Sequence, residues 1–312
     1  EMEEAPGAPH KDVVEVSNYV AAMDHGMTRL TSGFPLSNRL LLEMHGVLMA
    51  HGRGSDKESG AFRTSQNWIG GTRPANAMDG VDRSAGQDGR ISASRNAHYV
   101  PPPHDEVQTC MSALEAFLHE DGGLPLLLKA ALAHYQFETI HPFLDGNGRL
   151  GRLLIALILH VGGLLSQPLL YLSLYLKTHR ARYYQLLDEV RQSGDFESWV
   201  DFFLEGVETT SLGAVETARR LMTLFDTDRA SLQQSGRGAS NALRVLDAMK
   251  KRPLLGIKQL CEATGMSYPT ASRTTQALVS AGLFREITGQ RRNRVFAYDA
   301  YLKILSEGGE AI

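Results

Sequence analysis

Residues 141–152 read His141-Pro142-Phe143-Leu144-Asp145-Gly146-Asn147-Gly148-Arg149-Leu150-Gly151-Arg152, the densest run of chemically specialised residues in the chain. Gly146, Gly148 and Gly151 match the spacing of a dinucleotide-binding loop. The context rejects that reading. The preceding segment is patterned as a helix and turn, and no acidic residue follows about 20 positions on. No Gly-Lys-Ser/Thr closes the run as a nucleotide-triphosphatase loop either. Its physics is still that of a phosphate site. Glycines let backbone N–H groups converge on an anion at the start of a helix, where the dipole favours negative charge. Arg149 and Arg152 stand three apart on that first turn, within reach of one polyphosphate. Cations are disfavoured at a helix N-terminus, so their presence argues for an anionic ligand. Asp145 suits a Mg²⁺ ion bridging phosphate oxygens. His141, near-neutral in pKa, is the candidate base.

Outward from this run the pattern is helical. Asp12–Leu30 carries an apolar stripe at Val13, Val16, Val20, Met23, Met27 and Leu30. Leu36–Ala50, Val107–Leu118 and Pro125–Phe137 read similarly, and further helices are expected after Gly148 and over about Thr178–Gln192 and Glu197–Thr210. Gly60–Gly71, with aromatic and β-branched residues between glycines, predicts a short hairpin. Thr72–Arg95 is polar and reads as a long loop. Its Asp79, Asp82 and Asp88 lack the spacing of a calcium-binding loop. Ser231–Ser240 reads as a linker. Beyond it, helices at Ala242–Lys250, Ile257–Thr264 and Tyr268–Ser280 precede two strands, Phe284–Thr288 and Arg294–Tyr298, which is the pattern of a winged helix-turn-helix.

The 312 residues suffice for two domains, and the boundary is expected at 235/236. The net charge of −3 argues against wholesale wrapping of nucleic acid, but it conceals an asymmetry. From Asn241 onward 11 Lys/Arg stand against 6 Asp/Glu, a charge of +5, so the remainder carries −8. A basic appendage on an acidic body follows. Two distant cysteines, Cys110 and Cys261, indicate neither a disulfide framework nor a zinc site and suit a cytoplasmic protein. The longest apolar run, Leu153–Leu165, is too short to span a membrane, and no signal peptide opens the chain.

Residues 141–152 match at every position the signature HPFx(D/E)GNGRxxR, and here the chain resembles the Fic (filamentation induced by cAMP) family. The resemblance takes in GAFRTSQNWIGGTRP at 60–74, YVPPP at Tyr99–Pro103, ALAHYQFETIHPF at 131–143 and the Tyr183-Tyr184 pair. It implies a mainly α protein, a Fic-type helical bundle with a β-hairpin flap over residues 1–235, followed by a winged helix-turn-helix domain over 236–312. It also implies transfer of AMP from ATP to a Ser, Thr or Tyr hydroxyl of a target protein. By resemblance His141 deprotonates the hydroxyl and Asp145 holds Mg²⁺ against the phosphates. Asn147 and the loop amides, from Gly146 through Leu150 and Gly151, bind phosphate oxygens. Arg149 and Arg152 steady the end that leaves as pyrophosphate, and Phe143 anchors the loop. Tyr183 and Tyr184 match a pair beside the nucleoside, with core packing as the competing reading. The flap Phe62–Gly70 registers the target segment by strand addition.

Two departures from the family pattern stand out. An inhibitory (S/T)xxxE(G/N) helix is absent, since the two Glu-Gly pairs, at Glu205 and Glu307, have Asp201 and Lys303 four residues earlier. The expectation is that such a helix lies upstream of Glu1 and that the chain modifies itself or a partner readily. Met78–Arg95 reads as an insertion beside the flap. In the appended domain, Ser267, Tyr268, Thr270, Arg273 and Thr274 are expected to meet DNA bases, with Arg291, Arg292 and Arg294 on phosphates. Protein docking or pairing of two copies is the competing use of such a domain. Two other functions stay open: a DNA-binding regulator that senses a nucleotide, and removal of AMP or use of another diphosphate-linked donor.

Overall fold

The computed structural model describes residues 10–51, 58–69, 99–120, 122–166, 171–234, 236, 238–290 and 292–307. The chain forms two compact units, Glu1–Val207 and Glu208–Ile312. Among the described residues no helix is long and apolar enough to cross a membrane.

The first unit opens with α1 (His10–Thr31) and α2 (Asn38–Leu48). Ser37 caps α2, its hydroxyl accepting from the Leu40 N–H. A 3₁₀ turn, His104–Glu106, leads into α3 (Val107–His119), followed by α4 (Leu126–Ile140) and α5 (Asn147–Val161). Every residue from Leu153 to Leu159 of α5 is buried. A helix apolar on all sides belongs at the centre, and α1, α2 and α4 pack around it. The approach of α4 is close because residue 151 is glycine: a Cβ there would lie 2.7 Å from Glu138 Oε1 and 3.1 Å from the Phe137 ring. The helix expected over about Thr178–Gln192 is α7 (Arg180–Ser193), and a short helix that was not expected, α6 (Leu172–Thr178), precedes it. His179 closes the first and opens the second, its N–H on Tyr175 O and its carbonyl under the Tyr183 N–H, each at 2.9 Å.

The helix expected over Glu197–Thr210 is α8, which runs from Phe196 to Gln233. Leu212, Val215 and Met222 are all exposed, so the helix continues there although its apolar side chains cover no core. From Glu208 onward α8 belongs to the second unit, where Leu224, Phe225 and Leu232 pack on the C-terminal core. The division therefore falls inside α8, before the expected boundary, and the first residues of the expected linker are helical.

The rest of the second unit is α9 (Ala239–Lys251), β1 (Leu254–Gly256), α10 (Ile257–Thr264), α11 (Tyr268–Ser280), β2 (Arg285–Glu286), β3 (Val295–Ala297) and α12 (Asp299–Glu307). The strands form an antiparallel sheet in the order β1-β3-β2, with Leu255 opposite Phe296 and Glu286 opposite the same Phe296. β1 was not expected, since three residues after a proline carry no alternation to read. The arrangement is a winged helix-turn-helix. Val245, Leu246, Met249, Leu260 and Phe296 fill its core.

Of the expected hairpin, the described residues 60–69 hold one antiparallel bridge: Ile69 N–H donates to Tyr99 O at 2.8 Å, and Tyr99 N–H returns to Ile69 O at 3.1 Å. Gly70, the loop Thr72–Arg95, the Met78–Arg95 segment and residues 1–9 lie outside the described residues.

Arg63 ties this stretch to the bundle. It is 2% exposed, and its guanidinium donates to carbonyls of three chain segments: His141 O at 3.0 Å, Ile140 O at 3.5 Å, Ser65 O at 3.2 Å and Pro102 O. Its own N–H donates to Pro142 O at 2.9 Å. Two of these acceptors are the last carbonyls of α4, where the helix dipole is negative. A planar fork of donors meets a set of carbonyls that a point charge could not. Arg63→Ala is expected to destabilise the first unit by about 3 kcal/mol, because it leaves several buried carbonyls without donors. Urea unfolding followed by tryptophan emission reads that unit alone, since Trp68 and Trp199 both belong to it. Arg63→Lys should recover less than half of the loss.

Candidate active site

α4 ends in His141, whose backbone is left-handed (φ 49°, ψ 60°) and whose N–H donates to Phe137 O at 2.9 Å. A non-glycine residue in this region is strained and is held there by its surroundings. Arg63, on the His141 carbonyl, is part of what holds it. The turn that follows brings the chain to Gly146, also left-handed (φ 80°), which is the N-cap of α5. A Cβ at Gly146 would lie 2.9 Å from Met49 Sδ, so both the backbone and the space call for glycine. The imidazole and the amino end of α5 are thereby held within one loop.

The interior of that loop is polar and internally satisfied. Asn147 is buried, its Oδ1 accepting from Phe143 N–H at 2.9 Å and its Nδ2 donating to Phe143 O at 2.7 Å. These two bonds close the loop on Phe143 and occupy one of the two Nδ2 hydrogens. Phe143 is fully buried, as expected of an anchor, and stacks on His45 with centroids 3.8 Å apart. Burial keeps His45 below the ordinary histidine range, hence neutral. Gly60 N–H donates to its Nδ1 at 2.9 Å, so Nε2 carries the hydrogen and donates to Asp145 O at 3.0 Å. The sequence reading passed over both His45 and Arg63. For His45 the signal is a polar residue on an otherwise apolar stripe, with Leu41, Met44 and Leu48 around it; Arg63 has no such pattern.

Around the start of α5, Asp145 Oδ1 accepts from Gly146 N–H at 2.6 Å. The amides of Asn147, Gly148 and Arg149 are the ones that helix geometry leaves without an intrahelical acceptor. Leu150 is placed differently from the expectation. Its N–H is spent on Gly146 O at 3.0 Å and its side chain is fully buried. Gly151 serves the α4–α5 contact. The two arginines leave the helix toward different neighbours. Arg149 lies between Glu15 of α1 (3.9 Å) and Asp145 (3.7 Å), with Met49 Sδ 3.3 Å from Nη2. Arg152 folds back over Gly148, whose Cβ position is 3.3 Å from Nη1, and lines a cavity of about 250 Å³ with Tyr19, Asp24, Tyr171 and Ser173.

The tyrosine pair divides. Tyr183 is buried and its hydroxyl donates to His134 Nε2 at 3.0 Å, while His134 Nδ1 donates to Gly151 O at 3.0 Å. Burial takes His134 down to about 4, so it is neutral and both roles follow. Tyr183 is thus a core residue. Tyr184 is 44% exposed, with the Arg180 guanidinium over its ring, and it alone of the pair faces outward.

Among the described residues, the buried side-chain polar atoms without a hydrogen-bond partner are Asn67 Oδ1, Glu138 Oε1, Thr139 Oγ1, His141 Nδ1 and Arg191 Nε. Of these, Glu138 and Arg191 belong to groups that face or act on the His141 imidazole. Glu138 and His141 are one turn apart on α4, and Asn67 Nδ2 donates to Phe143 O. Arg191 stacks on Tyr99, whose hydroxyl donates to Thr139 O. Native proteins rarely leave such atoms unpaired, and a cluster of them marks a functional site. Burial lowers His141 to about 4 and raises Glu138 to about 7, with Arg152 and then Arg191 drawing the carboxyl back down.

In the second unit, Ser267, Tyr268 and Arg273 are exposed at and along α11, whereas Thr270 and Thr274 are partly buried. Arg294 is a brace and not a free wing cation: it donates to Gln276 Oε1 at 3.0 Å and Ser272 Oγ at 3.1 Å. Arg292 is exposed, and Arg291 lies outside the described residues.

Residues 35–159 match the model of the Fic/DOC family, and residues 238–286 match that of the IclR helix-turn-helix domain. A protein adenylyltransferase Fic of Culex quinquefasciatus is 30% identical over 172 residues, covering 54% of this chain and 27% of that protein. One of Drosophila erecta is 27% identical over 203 residues, covering 63% of this chain and 34% of that protein. The chain thus spans about a quarter to a third of the length of these relatives. A solved Fic family protein from Desulfovibrio desulfuricans G20 superposes with a TM-score of 0.53 at 22% identity, over 93% of this chain and 76% of that one. A Fic domain containing signaling protein from Bacteroides thetaiotaomicron VPI-5482 gives 0.50 at 17% identity, over 69% of this chain and 75% of that one. Both likenesses are of fold. With its complete signature at 141–152, the chain carries a Fic domain, followed by an IclR-type helix-turn-helix domain.

Proposed function

We propose that the first unit is a protein adenylyltransferase, moving AMP from ATP to a Ser, Thr or Tyr hydroxyl of a protein and releasing pyrophosphate. The observation that carries this is His141, held in a strained left-handed cap one short loop from the free amides of a helix N-terminus. The names of the curated relatives support it. The target oxygen attacks the α-phosphorus and its proton passes to Nε2 of His141. The bond from that phosphorus to the β-phosphate oxygen breaks, and pyrophosphate departs. The amides of Gly148 and Arg149 receive phosphate oxygens, and the guanidinium groups of Arg149 and Arg152 take up negative charge on the leaving side.

Asp145 is the residue that would hold Mg²⁺. Its carboxylate is partly exposed at the loop, and no group of three or more metal-binding side chains occurs among the described residues. A single carboxylate completed by substrate phosphates is the habit of Mg²⁺. When bound, the ion neutralises phosphate charge. The strip ending at Ile69, which pairs with Tyr99, offers the edge on which a target segment adds, and the same edge serves self-modification. Tyr184, the exposed member of the tyrosine pair, covers the nucleoside in this reading. The second unit contacts DNA through α11, on the exposure of Ser267, Tyr268 and Arg273.

With α-labelled ATP, Mg²⁺ and a cell lysate, the chain should label protein bands, and His141→Ala should abolish labelling while ATP binding stays within about threefold. Equal labelling by the two proteins would remove His141 from the base role. Tyr184→Ala should raise KM for ATP about tenfold, whereas Tyr183→Phe should lower stability by about 1 kcal/mol, the scale of one hydrogen bond, and leave KM unchanged. Arg273→Ala should weaken duplex binding and flatten its salt dependence by about one charge. Binding unaffected by salt or by this change would assign the second unit to protein docking.

A further inference from the structure

We propose that Glu138 is the positioning residue of His141: its buried carboxyl holds the imidazole as the Nδ1–H tautomer, leaving Nε2 as the proton acceptor. This rests on the adenylyltransferase reading for its catalytic meaning, but the tautomer is a property of the protein alone.

The geometry is specific. His141 caps α4 in a left-handed conformation, which turns its ring back along the helix toward the residue three positions earlier. That residue is Glu138, and its Oε2 lies 4.0 Å from His141 Nδ1. Nδ1 is buried with no hydrogen-bond partner, as is Glu138 Oε1. The imidazole nevertheless keeps 20% of its side-chain surface exposed, so its open edge is not the Nδ1 edge. A hydrogen on Nδ1 therefore points into the protein toward Glu138. A side-chain adjustment of about 1 Å brings the pair to hydrogen-bond length.

The carboxyl cannot easily turn elsewhere. Gly151 of α5 leaves the space it occupies, since a Cβ there would sit 2.7 Å from Oε1. The cations that act on it, Arg152 of α5 and Arg191 of α7, favour its ionised form. The backbone carbonyl of Glu138 also faces the imidazole and, like Asp145, favours its cation, while Arg63 and Arg191 oppose it; Glu138→Ala keeps that carbonyl, so the variant isolates the part played by the carboxyl. Buried Tyr183 and His134 bond each other, so neither hydroxyl nor ring competes for Nδ1. When His141 takes the target proton at Nε2, the new positive charge faces an acceptor already in place. A buried acidic group that orients a catalytic histidine and stabilises its cation has the same logic in serine hydrolases.

Two-bond ¹H–¹⁵N spectra of the whole chain test this, with the His141 ring identified by its loss in His141→Gln. The wild type is expected to show the Nδ1–H tautomer. Glu138→Ala should shift the ring to Nε2–H and lower kcat roughly 10- to 100-fold with KM for ATP unchanged. Glu138→Gln, which keeps an acceptor oxygen and the side-chain volume, should retain the tautomer and part of the rate. An Nε2–H ring in the wild type, or an unchanged tautomer in both variants, would overturn the proposal. If Glu138→Ala does not fold, Glu138→Gln against wild type decides it through kcat: an unchanged kcat overturns the role. A wild-type chain that labels no protein would instead sink the adenylyltransferase reading, with the tautomer test intact.

Discussion

A buried guanidinium with carbonyls for partners is the constraint on which the site depends. Arg63 reaches the end of α4, Ser65 and Pro102 at once. Desolvating a guanidinium costs several kcal/mol unless its donors are matched. The end of α4 supplies that match through its dipole and its unpaired carbonyls, and the same contact holds His141 in a conformation it would otherwise leave. Strain at the imidazole and burial of the cation thus stabilise each other. The bridge between Ile69 and Tyr99, and the bond from Asn67 to Phe143 O, extend the tie along the strip.

Inside the loop the division of labour differs from what residue chemistry suggests. Asn147 looks outward-facing in a sequence, yet its amide closes the loop on Phe143. His45 and His134 look like candidate acid–base groups, yet each is neutral, buried and bonded at both ring nitrogens. They are struts. His141 and its neighbours Glu138 and Arg191 instead keep unmet polar atoms, and that contrast separates the chemistry from its scaffold.

Much of the fold was legible because it is written in apolar periodicity and turn residues. The helices α1 and α2, and three of the helices and two of the strands of the second unit, follow from spacing, although Val16 and Val20 of the α1 stripe are exposed. What escaped did so for physical reasons. β1 is too short to alternate, and the apolar residues of α8 at Leu212, Val215 and Met222 are sparse and exposed. The candidate site was legible as a motif, since glycine, arginine and histidine have few other reasons to stand together. The supporting residues were not, because Arg63 and His45 act across 78 and 100 residues of sequence. Glu138 was within reach. His134, Glu138 and His141 stand at helical spacing on one face of α4, a polar stripe on a buried helix.

A crystal structure of the chain with Mg²⁺ and an ATP analogue uncleavable between its α- and β-phosphates tests this arrangement most directly. The α-phosphate is expected within about 3.5 Å of the space in front of His141 Nε2. Its oxygens should meet the amides of Gly148 and Arg149, with Arg63 and the left-handed cap unmoved. A phosphate chain seated away from the start of α5, or a His141 drawn out of its cap to reach one, would contradict it.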